Sequence, residues 1–136
     1  MRKRAILLFL FSLFLFGCPD PGFMPEAALI IVMQDDPIVF SYDIISNSWC
    51  CSNCVIITET NGVSGYVDNV NLAFLSGGAF ESKDYPGKHF RTRESWDVCD
   101  THYTIHEWIG IIVRVTGEDE NSNEIKVQKY FKAYYQ

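Results

Sequence analysis

The chain has 136 residues, 48% hydrophobic and 15% aromatic, too apolar for a disordered polymer and of a length suited to one domain. Its formal charge is −6; without Arg2, Lys3 and Arg4, which fall in a leader-like segment, eight basic residues face 17 acidic ones, a balance of about −9. An acidic chain with no basic run argues against nucleic acid as a partner and against adsorption to anionic lipid, since both need clustered Lys and Arg.

The chain opens on Met1-Arg2-Lys3-Arg4, followed by an apolar or small run over residues 5–16. Twelve residues are too few to cross a bilayer as a helix, which needs about 20, but they suit the apolar stretch of an export signal. The run ends in Leu15-Phe16-Gly17-Cys18. That ending resembles the lipobox of bacterial lipoproteins, with Leu at minus three, a small residue at minus one and then the Cys. The resemblance implies cleavage after residue 17, acylation of Cys18, and an extracytoplasmic protein held on a bacterial membrane, at the periplasm or the cell surface. Residues 18–26 follow with Pro19, Pro21, Gly22 and Pro25, a composition that forbids helix and sheet and reads as a stiff tether of about 25–30 Å. The folded part is expected over residues 27–136.

From there the hydrophobic period is two. Residues 27–33 form a short apolar run, broken by Asp35-Asp36-Pro37. Ile38, Phe40, Tyr42 and Ile44 alternate with more polar neighbours, and residues 55–60 are β-branched except for Glu59. Val70, Leu72 and Phe74 alternate again, as do Ile109, Ile111, Val113 and Val115. Ile125 and Val127 start a last strand, where Lys129-Tyr130-Phe131 upsets the pattern and suggests a bulge. Asn61-Gly62 reads as a tight hairpin turn, and Ser76-Gly77-Gly78 and Tyr85-Pro86-Gly87-Lys88 as further turns. No window carries an amphipathic helix. About seven short strands with turns every 8–12 residues predict an all-β, antiparallel sandwich. The segment Thr58-Glu59-Thr60-Asn61-Gly62-Val63 with Gly65, and Gly117-Glu118-Asp119-Glu120-Asn121 before the last strand, resemble motifs of small immunoglobulin-like domains in bacterial lipoproteins. The resemblance implies a non-catalytic binding or structural module of the cell envelope, with a protein or glycan ligand.

Beyond Cys18 there remain Cys50, Cys51, Cys54 and Cys99. An even number in an exported chain points to two disulfides. A direct Cys50–Cys51 bridge would strain the peptide between them. The expected pattern is therefore one short-range bridge to Cys54 and one long-range bridge to Cys99, with Cys50 and Cys51 exchangeable between the two. Closing the longer loop would stabilise the fold by roughly 4 kcal/mol. The rival reading is a zinc site, because Cys51-x2-Cys54 and Cys99-x2-His102 supply a Cys3His set; export, which oxidises thiols, weighs against it. A redox-active Cys51-x2-Cys54 expects a helix where the pattern gives a strand. Trp49, Trp96 and Trp108, with Tyr103, offer an alternative as a sugar-binding platform if exposed together. His102 and His106 have no accompanying carboxylate motif. Asp119, Asn121 and Asn123 match the start of an EF-hand loop, but Glu124 and Tyr130 stand where Gly and Glu are required. No catalytic motif and no cofactor signature is present, so no enzyme and no cofactor is expected.

Overall fold

The computed structural model describes residues 24–76 and 80–136. The leader, Cys18, the first part of the tether and Gly77-Gly78 lie outside the described residues. Eight strands and no helix are present among those described: β1 (Leu29–Met33), β2 (Ile38–Asp43), β3 (Ser48–Glu59), β4 (Gly65–Leu75), β5 (Phe80–Phe90), β6 (Ser95–Thr104), β7 (Gly110–Asp119) and β8 (Glu124–Tyr135). They form one curled sheet in the order β1-β3-β2-β8-β7-β4-β5, with β6 on the other edge of β3.

The all-β expectation holds, but the sheet is mixed rather than antiparallel. β1 and β2 run end to end along one edge of β3: Leu29–Met33 pair with residues 55–59, and Ser41–Asp43 with residues 48–50. The first half of β2 swings away and pairs in parallel with β8, Ile38 opposite Ala133 and Phe40 opposite Tyr135. One strand thus serves both halves of the curl, β1-β3-β6 and β8-β7-β4-β5. The break between β1 and β2 contains the cis Asp36–Pro37 bond and lies beside β3 residues 51–54. Asn53 satisfies the interrupted ladder there, accepting from Asp35 N (3.2 Å) and donating to Asp35 O (3.1 Å).

Several local readings need correction. Tyr85-Pro86-Gly87-Lys88 is no turn but the middle of β5. This is an edge strand, where a proline is tolerated because its missing N–H interrupts no ladder. Asn61-Gly62 does turn, with Gly62 at φ 82°, but it makes no hairpin: β3 and β4 do not pair, and the turn carries the chain from one half of the curl to the other. No bulge occurs near Lys129, since β7 and β8 stay in register throughout. Lys129 simply occupies a slot on the inward side of the alternation, donating from Nζ to Ile31 O at 3.0 Å with that ammonium 5.1 Å from the centre of the Phe131 ring. The register shift falls in β4 instead, at Asp68 between Val67 and Asn69. Gly117 on one side makes room for it; a Cβ there would collide with the Tyr66 carbonyl.

Between the halves lies a core built from the alternating inward residues: Ile31, Ile38, Phe40, Val55 and Ile57 on one side, Val67, Val70, Phe74, Val113 and Val115 on the other. Trp108, 1% exposed, seals it beneath the β6–β7 connection. At the base, where the chain enters, two buried carboxylates organise the connections. Glu59 accepts from Asn61 N (2.7 Å), Gly62 N (2.9 Å) and Arg93 N (2.8 Å). Asp119 accepts from Ala27 N, Asn121 N and Asn123 N, each at 2.9 Å. Asn61 and Asn121 in turn hold the carbonyls of Glu26 and Pro25. The segment at residues 25–27 is therefore latched to the domain through the Pro25 and Glu26 carbonyls and Ala27 N.

Candidate functional site

β5 and β6 are the two ends of the curled sheet. No backbone ladder joins them; side chains do, across a seam. Asp100 on β6 takes an ion pair from Lys83 and a 2.5 Å hydrogen bond from the Tyr85 hydroxyl. Lys83 and Tyr85 together hold the Asp100 carboxyl below the usual carboxylate range, while burial and Asp100 push the Tyr85 phenol up. Further along, Phe90 stacks on Trp96 at 5.6 Å, and Lys88 lies over the same indole while pairing with Glu94.

Behind the seam is a small, partly open cavity of about 30 Å³, room for a water molecule or a single ion. Met33, Cys51 and His102 line it, among Phe40, Leu72 and Phe74. Cys51 and His102 are directly opposite each other in the β3–β6 register. The His102 ring stacks on Phe74, 3.9 Å between centroids and 8° from parallel. Its Nε2 is buried with no hydrogen-bond partner among the described residues; Glu81 comes no nearer than 4.0 Å. Burial pulls the His102 pKa below its ordinary value, against smaller opposing effects of Glu81 and Asp100. Burial pushes the Cys51 thiol up to about 11, so it is a neutral thiol.

The cysteines are arranged otherwise than expected. Cys54 bonds to Cys99, and Cys50 and Cys51 are free thiols. The reason is register. β3 and β6 place Cys54 opposite Cys99, with Cα atoms 4.0 Å apart and both side chains on the outer face. Cys51 alternates onto the inner face, and Cys50, on the outer face, has Tyr103 opposite it. The two-disulfide expectation for Cys50, Cys51, Cys54 and Cys99 is thereby corrected to one. The Cys51, Cys54, Cys99, His102 zinc set fails for the same reason: its members lie on opposite faces of the sheet, and two of its sulfurs are joined. Asp97 is close to the Cys54–Cys99 pair, but with those sulfurs bonded to each other the trio offers a single free ligand.

The sugar platform is overturned as well. Trp96 and Trp108 are core residues, and Trp49 is half-buried between Tyr42 and Tyr135. The Asp119 loop cannot serve Ca²⁺ as it stands, because both carboxylate oxygens are engaged by its own loop and by the tether, Asn123 Nδ2 included at 3.0 Å. His106 packs edge-on to Trp108, and His89 against Tyr66, apart from His102. Sequence reasoning gave Glu59, Tyr85, Asp100 and Met33 no part in a site. Only Glu59 left a sign in the sequence, as the one charged residue in a β-branched run.

No protein-family model matches the chain, and comparison with curated proteins yields no match. Among solved structures, the ApaA protein from Bordetella pertussis is similar at TM-score 0.57 and 12% identity, over 81% of this chain and 97% of that one. Spo0M, a sporulation control protein from Bacillus subtilis, matches at TM-score 0.42 and 7% identity, over 83% of this chain and 51% of that one. A β-glucosidase from Listeria innocua matches at TM-score 0.43 and 10% identity, over 81% of this chain and 17% of that one. At such identities the first likeness concerns the fold alone.

Proposed function

We propose that the chain is a membrane-anchored, extracytoplasmic bacterial lipoprotein whose single domain is a non-catalytic binding or structural module of the cell envelope. The observation that carries this reading is Cys18 behind Leu15-Phe16-Gly17, at the end of an apolar run too short to span a bilayer. Two or more acyl chains on Cys18 would hold the protein stably, where one would do so only reversibly. We read the curled sheet as an immunoglobulin-like sandwich with β1-β3-β6 as one layer and β8-β7-β4-β5 as the other, β2 crossing between them. The latch at Pro25–Ala28 supports the tether reading, because it fixes the point where the chain leaves the domain.

That exit lies at the base, beside residues 60–64 and 120–123. The connections at the far end carry exposed apolar side chains: Ile44 and Ile45 between β2 and β3, and Ile105 and Ile109 between β6 and β7. Clustered exposure of this kind marks an interaction surface, here the one facing away from the anchor. The test is Cys18→Ser. The variant is expected to accumulate uncut or to leave the membrane fraction. Normal processing together with normal membrane fractionation of Cys18→Ser would refute the anchor.

A further inference from the structure

We propose that Met33, Cys51 and His102 form a buried site for one soft monovalent metal ion, Cu(I), in the cavity between the two halves of the sheet. Their donors are a thioether, a thiol and an imidazole, the soft set that favours Cu(I) over the hard divalent cations. Three different strands bring them to one cavity: Met33 ends β1 at the break, and Cys51 and His102 face each other across β3 and β6. Met33 and Cys51 are 3% and 7% exposed, and the His102 ring is fixed by Phe74 with Nε2 free of any hydrogen bond. Of the two carboxylates nearby, Asp100 is already taken by Lys83 and Tyr85, and Glu81, about half exposed, comes no nearer to Nε2 than 4.0 Å.

Charge decides the choice of ion. Loading replaces the thiol proton by the metal: the S–H bond of Cys51 breaks, an S–Cu(I) bond forms, and the proton leaves to solvent with no change in oxidation state. The thiolate and Cu(I) cancel, so the loaded site is neutral and compatible with walls of Phe40, Leu72 and Phe74. A divalent ion with the same three ligands would leave a net positive charge, and the lining carboxylate, Asp100, is already paired with Lys83. The space admits an ion and no substrate, so the site binds or carries the metal. This inference does not depend on the lipid anchor.

The test uses the full chain purified in detergent, with Cys54–Cys99 intact. Cu(I), kept reduced by ascorbate, is titrated without oxygen against bicinchoninate as competitor, and stoichiometry is read by native mass spectrometry. One equivalent is expected to bind. Cys51→Ser should weaken binding by more than the about 10–100-fold typical of losing an outer-shell partner, and Met33→Leu by about 10-fold or more. Cys50→Ser should leave it unchanged. Met33→Leu nearly conserves volume, so it remains decisive if Cys51→Ser fails to fold. No uptake against the competitor, uptake that follows Cys50 instead of Cys51, or unchanged affinity in Met33→Leu would each overturn the site.

Discussion

Glu59→Ala is expected to lower the unfolding free energy by about 3 kcal/mol, because it strands three part-buried backbone donors at once. The carboxylate, 1% exposed, ties the β3–β4 turn to the β5–β6 connection through Asn61, Gly62 and Arg93, and Asp119 does the same for the β7–β8 turn and the tether. Burial alone would raise both pKa values; the backbone hydrogen bonds outweigh it and hold both carboxyls below the usual range. A folded-state pKa below the unfolded one means stability that is complete above the unfolded values of about 4 and is lost as pH falls through the folded ones. Thermal unfolding from pH 7 down to pH 2 should therefore show an acid-labile fold. Glu59→Gln should lower stability at pH 7 and reduce the acid dependence. An acid profile identical to wild type in Glu59→Gln would contradict this role.

Cys54→Ser/Cys99→Ser is the second large change expected, at about 4 kcal/mol. The bridge closes a sequence separation of 45 residues, and its loss restores that much freedom to the unfolded chain. Reduction of the wild-type protein should produce the same shift in denaturant midpoint, whereas Cys50→Ser should produce almost none. If the double variant unfolds at the wild-type midpoint, the β3–β6 ladder alone holds Cys54 beside Cys99 and the bridge adds nothing. The comparison is clean because Cys50 and Cys51 are already free thiols.

Strands with one buried face were legible in the sequence. β4, β7 and the start of β8 alternate because every second residue enters the core. β5 was not legible, since it is an edge strand exposed almost throughout, with Pro86 and Gly87 imitating a turn. β6 was hidden differently. Its inward slots run Trp96, Val98, Asp100, His102 and Thr104, so polar residues stand where the pattern calls for apolar ones. Those substitutions are what build the seam. The parallel contact of β2 with β8 depends on how the sheet curls, which no local pattern encodes. The cysteines show the same division. Alternation alone separates Cys50 from Cys51, but only the register of β3 against β6 reveals that Cys54 meets Cys99.

The continuity of β1 and β2 along β3 also sets how the domain bears mechanical load. A pull on the tether, with the far end held by a partner, enters at Pro25 and acts along β1. The hydrogen bonds of the Asp119 and Glu59 latch yield first, one after another. The β1–β3 ladder behind them is loaded in shear, so its bonds must break together, and the parallel β2–β8 pairing is loaded the same way. The domain would pass tension along its length without unzipping from the end at which Pro25 enters.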